Sequence, residues 1–169
     1  MGINTVQGYL QGALNGMTLP LNLGTLAAYV LPPVPGDGGI PTAYIWGSRG
    51  VEDRLATPRA AHGAPTTGGT KELVHQVDVW LVWHGSTEHP QASLQFPAIV
   101  DAVLATLRNL PILDAQAHAT DPATGALSQL MDCGESMGWE YGPAHATEDQ
   151  RMLRFDAQIT VTLHENIQA

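Results

Sequence analysis

Residues 63–71, Gly-Ala-Pro-Thr-Thr-Gly-Gly-Thr-Lys, have the composition of a phosphate-binding loop. Such a loop needs Gly-x4-Gly-Lys-Ser/Thr, placed after a strand and opening a helix whose N–H groups hold the phosphates. Here the lysine comes last and the segment leads into a strand, so it reads as a loop and not as a nucleotide site. Seven histidines, at positions 62, 75, 84, 89, 118, 145 and 164, raise the question of a metal. None falls in an HExxH or paired-ligand motif. His84 and His89 flank a turn, and His75 sits among apolar neighbours as a core or interface histidine. Cys133, in Met-Asp-Cys-Gly-Glu-Ser, has no neighbour that would activate a thiol and reads as a small core or boundary residue. Gly134 to Gly138 lacks the central serine of a nucleophile elbow. Asp132 and Glu135 are a carboxylate pair only in sequence and read as solvated turn charges. These residues predict no catalytic site, no cofactor and no metal, and the chain is not expected to be an enzyme.

A different kind of site is suggested by Arg49, Arg54 and Arg59, which are three of only seven lysines and arginines. They fall in a stretch that reads mostly as loop from Gly50 to Thr70, with a little strand near Leu55. A structureless segment of that length inside a domain is usually functional or disordered. One reading is a docking arm over residues 49–71, ending at Lys71, whose arginines meet the acidic surface of a neighbouring chain. The other is a mobile solvent loop. Trp46, Trp80 and Trp83 are likewise either core residues or interface anchors.

The whole chain has 169 residues, enough for one domain with a real core. Hydrophobic residues make up 44% and charged residues only 14%, which suggests that part of the surface faces other protein. A loop-rich monomer with a neutral surface is the alternative. The formal net charge of −9 excludes a conventional nucleic-acid grip and would repel a passing duplex. One cysteine supports no intrachain disulfide, in keeping with a reducing compartment. The first residues lack the basic start and apolar run of a secretory signal, and no stretch approaches the length of a membrane span. A soluble cytoplasmic product is expected.

The elements that would position these residues follow from periodicity. Thr5 to Asn15 predicts a helix, capped by Asn4, with Val6, Tyr9, Leu10 and Leu14 on one face. Ala27 to Leu31 and Thr42 to Ser48 read as strands, separated by a Pro- and Gly-rich run. In Glu72 to Gly85 the apolar residues alternate, and Trp80 and Val82 make the second half apolar on both sides. Both sides are therefore expected to be covered there, by helices or by a neighbouring subunit. Ser93 to Asn109 predicts a helix with Phe96, Ile99, Val100, Val103, Leu104 and Leu107 in one stripe, Ser93 as its cap and Pro97 in its first turn. Leu113 to His118 and Leu127 to Asp132 read as a hairpin, the second strand continuing toward Trp139 and Tyr141. Leu153 to Leu163 alternates strictly, as a half-buried antiparallel strand does. The expected fold is α+β: a single domain, an antiparallel-rich mixed sheet, two helices on one face and a long loop between strands.

The segments Pro41–Ser48 with Lys71–Trp83, Phe96–Pro111, Thr120–Pro143 and Asp149–Glu165 together resemble the tail terminator proteins of long-tailed bacteriophages, in the versions carried by phages of actinobacteria. The likeness rests on element order, hydrophobic framing and the ending Gly-Glu-Ser-Met-Gly-Trp-Glu-Tyr-Gly-Pro … Arg-Phe-Asp-Ala-Gln-Ile-Thr-Val. The resemblance implies a homohexameric ring that caps the tail tube, stops its polymerisation and joins the tail to the head-tail connector. DNA would pass through the hole without specific binding. The implied partners are other copies of the chain, the tail tube protein and the connector or head-closure protein, with no membrane. Candidate interface residues are Arg49, Arg54, Arg59, Lys71, Trp80 and Val82. Two alternatives stay open: another neck component, and a small enzyme or ligand-binding protein, which would need a concave pocket with convergent polar groups.

Overall fold

The computed structural model describes residues 3–32, 40–56, 70–86, 91–110, 119–120, 127–131, 137–148 and 151–168. The chain is α+β, with a mixed, mostly antiparallel sheet and two α-helices on one of its faces. Helix α1 runs Ile3–Leu14 and α2 runs Ala92–Arg108. The strands are β1 (Ala27–Tyr29), β2 (Thr42–Ala56), β3 (Thr70–Ser86), β4 (Ala119–Thr120), β5 (Leu127–Met131), β6 (Met137–Tyr141), β7 (His145–Ala146) and β8 (Met152–Gln168). The path across the sheet is β1-β2-β3-β8-β5-β4, and β6 and β7 join the same edge of the sheet through β8. Among the described strands only β1 and β2 run parallel.

β3 and β8 form the spine. They pair antiparallel without a register shift from Thr70 opposite Gln168 to Ser86 opposite Met152. The expected alternation holds where helices cover it. Val77, Val79, Leu81 and Trp83 of β3, and Ala157, Ile159, Val161 and Leu163 of β8, are buried in one cluster with Ala43 and Ile45 of β2. The helices contribute Val6, Leu10 and Leu14 from α1 and Phe96, Ile99, Val100, Val103, Leu104 and Leu107 from α2, so the α2 stripe read from the sequence is core, and so is the α1 stripe apart from the partly buried Tyr9 packed against it.

α1 also binds the sheet by polar contacts. Gln7, Gln11 and Asn15 recur every four residues and so stack along one line of the helix. Gln7 Nε2 donates to the Ile45 carbonyl (3.4 Å), Gln11 Nε2 to the Ala28 carbonyl (3.1 Å), and the Ala28 N–H donates to Asn15 Oδ1 (3.1 Å). These bonds occupy the outer edge of the parallel pair, where no further strand lies among the described residues. Gly16, at φ +80, then turns the chain out of the helix, and its N–H donates to the Leu26 carbonyl.

Four local expectations are corrected. β2 does not stop at Ser48. Residues 49–56 continue it, paired with 70–76 of β3, so both ends of the stretch read as a docking arm over 49–71 are strand, and residues 57–69 lie outside the described ones. The sequence Val-Glu-Asp-Arg-Leu-Ala has no apolar alternation, and here the backbone pairing to β3 defines the strand. Ser93 is not the cap of α2: the helix begins at Ala92, and the Gln91 carbonyl accepts the first N–H groups. Pro97 consequently sits in the second turn, where it supplies no N–H to the helix ladder. Asn4 lies within α1 and does not precede it.

The start of α2 is set by a close approach. A Cβ on Gly85 would stand 2.7 Å from Ala92 Cβ and 3.0 Å from the Trp83 ring. Next to it Trp83, Phe96 and Phe155 stack, with centroids 5.5–6.5 Å apart, fastening the helix to β3 and β8. Gly85→Val should therefore destabilise the fold by about 1–3 kcal/mol through overpacking. Urea unfolding would measure this, and a midpoint equal to that of the parent would show that α2 shifts without cost.

Candidate functional site

The helices cover one face of the sheet, and register fixes what lies on the other. Tyr29, Tyr44, Trp80, Gln158 and Glu140 stand opposite one another across β1, β2, β3, β8 and β6. The adjacent row is Trp46, Asp78, Thr160 and Gly138. The face thus grades from aromatic at β1–β3 to polar at β8–β6. Tyr44 and Val82 are buried, Trp80 is half-buried, and Tyr29 and Trp46 are 46% and 48% exposed. Thr160 Oγ1 donates to Asp78 Oδ1 at 2.8 Å, locking the polar end between strands. Beside it an open cavity of about 340 Å³ is lined by Gly138, Trp139, Glu140, Gln158 and Thr160.

The sequence-derived site residues do not converge. Trp80 and Val82 share this helix-free face, as the two-sided apolar pattern of β3 required. Arg49 is exposed on β2, past the register shift between Gly47 and Arg49. Arg54 and Lys71 are register partners nearer the end of the β2–β3 hairpin. Arg59, Cys133, Asp132, Glu135, His62, His89, His118 and most of residues 63–71 lie outside the described residues. His75 is buried under the helix side of β3. Among the described residues no three of His, Cys, Asp and Glu gather to hold a metal, and no helix is long and apolar enough to cross a membrane.

A second exposed region was not foreseen. On β6, Trp139 and Tyr141 point to the helix side, opposite Ile159 and Ala157, yet remain 49% and 48% exposed because β6 is an outer strand. The Arg108 guanidinium lies 5.9 Å over the Trp139 ring, and the Tyr141 ring meets Phe96 edge-on. Burial raises the Tyr141 pKa above its ordinary value, and the Asp101 carboxylate raises it further. Asp101 and Arg108 are seven residues apart on α2 and so share one stripe, which also carries Leu94. Leu94 is 71% exposed. The sequence signal for this stripe was present in the 94, 101, 108 spacing, but it lay opposite the apolar pattern that drew the reading. At the end of β6 the backbone turns close to β8. The Gly142 N–H donates to the Asp156 carbonyl, and the Asp156 carboxylate occupies the space a Cβ on Gly142 would need.

No protein-family model matches the chain, and no curated protein matches it either.

Two outcomes follow from this geometry. Trp80→Asp places a carboxylate two residues from Asp78 on the same face and removes a half-buried ring. It should lower stability by about 1–2 kcal/mol, below the cost of losing a fully buried aromatic, as read from urea unfolding. For Tyr141, a raised pKa in the folded chain means that folding favours the neutral phenol. That contribution is complete below the unfolded value of about 10 and is lost as pH rises through the folded one. Tyr141→Phe should therefore lose less stability than the parent between pH 8 and about 10.5, and equal losses would contradict the shift.

Proposed function

We propose that the chain is a structural subunit of a phage tail, a tail terminator that caps the tail tube as a ring. The observation that carries this reading is the exposed aromatic area on the face of the sheet away from the helices. Tyr44 and Val82 are buried there, while Tyr29 and Trp46 stay about half exposed. Exposed apolar area of this kind marks surfaces that other protein closes. The low charge fraction of 14% fits a subunit enclosed by neighbours, and the net charge of −9 fits a lumen that passes DNA without holding it. The partners in this reading are other copies of the chain, six to a ring as the resemblance implies, together with the tail tube protein and the connector.

The nearest rival, another neck component, fits less well. By general architecture an adaptor is mostly helical and a closure protein is a small β-barrel, whereas here two helices lie against an open sheet. A ligand-binding protein would use the cavity beside Glu140, Gln158 and Thr160. Negative-stain imaging of the purified protein mixed with its tail tubes tests the proposal. Caps at one end of each tube are expected. Bare tube ends, with the protein left in solution, would remove the tail role. A metabolite retained through purification and lost on Gln158→Ala would move the reading to the cavity.

A further inference from the structure

Gly138 lies inside β6 without a local reason to be glycine. A glycine within a strand usually marks a bulge, a tight bend or a place where a ligand or another backbone comes close. β6 pairs with β8 in continuous register from Met137 opposite Val161 to Tyr141 opposite Ala157, so Gly138 forms no bulge. Its φ lies outside the left-handed region, so residues with side chains can adopt its conformation. A Cβ there would meet no atom within 4 Å, whereas a Cβ on Gly85 or Gly142 would meet neighbours closer than 3 Å. The room that Gly138 leaves is therefore open space, on the face of the sheet that the helices do not cover.

That space is the cavity of about 340 Å³ beside Glu140, Gln158 and Thr160. Its size is near the lower end of small-molecule sites, which begin at about 300 Å³. The three side chains give it a carboxylate, an amide and a hydroxyl. The Thr160 proton is committed to Asp78 Oδ1, so Thr160 offers the cavity lone pairs only. Of the three, only the Gln158 amide donates, and the fitting ligand brings several O–H or N–H donors. One lining group is charged, and it is a carboxylate, which disfavours anions. The Asp78 carboxylate is tied to Thr160 and does not line the cavity, so a cation would find one carboxylate and two neutral groups. Glu140 and Gln158 stand opposite each other at about 5 Å, and Thr160 lies about 7 Å further along β8, a spread that the hydroxyls of one sugar ring span. On the other side of Gln158 stands Trp80, half-buried, whose π face can pack against the C–H face of a sugar. We propose that the cavity binds a sugar unit of a neutral glycan, with Glu140, Gln158 and Thr160 taking its hydroxyls, Gly138 leaving room for the ring and Trp80 beside the adjoining unit. The site is open, so its ligand exchanges freely, unlike a metabolite retained through purification. It lies at the β8–β6 side, away from Tyr29 and Trp46, and does not rest on the ring reading above.

The test follows backbone and side-chain amide signals of the nitrogen-labelled protein by NMR while cellohexaose, maltohexaose and mannohexaose are added separately to millimolar concentrations. Spermidine serves as the cationic comparison. At least one of the sugars should shift the Gly138 amide and the Gln158 side-chain amide in a saturable way. Gly138→Val fills the cavity without meeting a neighbour and should abolish these shifts while keeping the parental thermal unfolding. Gln158→Ala leaves β6 unchanged, decides the matter should Gly138→Val unfold, and should weaken binding by about tenfold, the loss of one buried hydrogen-bonding partner. A parent whose signals stay still with every sugar overturns the site. So do shifts that persist in Gly138→Val, binding that Gln158→Ala leaves at parental strength, or a stronger response to spermidine than to any sugar, which would make this a cation site. The tail role fails separately: bare tube ends would sink that role and leave the sugar site standing, and a parent that caps tubes but ignores every sugar would do the reverse.

Discussion

The antiparallel pairing of β3 with β8 is the constraint on which everything else depends. It joins residues as distant in sequence as Thr70 and Gln168, and it holds register over the full length of both strands. A slip by one residue would turn Val77, Val79, Leu81, Ala157, Ile159 and Val161 away from the helices and bring Asp78 and Thr160 into the core. Burial of those alternate residues therefore fixes the register, and the register in turn fixes which side chains share the helix-free face. β2, β5, β6 and β7 all attach to this pair and to nothing more central. Because the pairing is non-local, the loop-closure entropy must be met before the core rewards it, and folding is expected to be slow for a chain of this size.

Strand length then separates what is covered from what is not. Each of β3, β8 and α2 has 17 residues, yet a strand of that length reaches about 55 Å and a helix about 25 Å. Two helices lying on one face leave a long end of the ribbon without a helical layer. α1 compensates in part through Gln7, Gln11 and Asn15, which occupy the outer hydrogen-bonding edge at Ala28 and Ile45 and so protect the β1–β2 pair from further strand addition there. Beyond Ile45 no such polar row guards β2 among the described residues, and the register shift between Gly47 and Arg49 breaks the regularity of the edge.

Much of this was legible in the sequence where burial is one-sided. The stripes of both helices and the alternation of β3 and β8 name the core almost residue by residue, because period 3.6 and period 2 are direct consequences of a single buried face. Legibility failed where backbone pairing acts without a burial pattern. Residues 49–56 look like loop because Glu52, Asp53 and Arg54 offer no alternation, and only their partners at Lys71 to Leu73 make them strand. The polar ladder of α1 was invisible for a related reason: glutamine at spacing four reads as a solvated face unless a strand edge is known to lie beside it. Ser93 misled in another way, since a capping residue inside a helix looks the same in sequence as one before it, and the tight packing of Ala92 on Gly85 decided the start.

The same asymmetry explains why the exposed aromatics carry the functional argument. The polar residues Asp78, Gln158, Thr160 and Glu140 lie in rows across a sheet face, where Glu140, Gln158 and Thr160 line the open cavity and Asp78 and Thr160 are bonded to each other. The exposed aromatic residues lie toward the edges. Tyr29 and Trp46 at one edge, and Trp139 and Tyr141 at the other, sit on strands with no further strand on their outer side among the described residues. Helices cover one face of the sheet, Tyr44 and Val82 are buried on the other, and the exposed aromatic side chains lie toward its edges. Rigid strands hold those side chains in fixed positions, which lowers the ordering cost of binding and suits a surface that assembles.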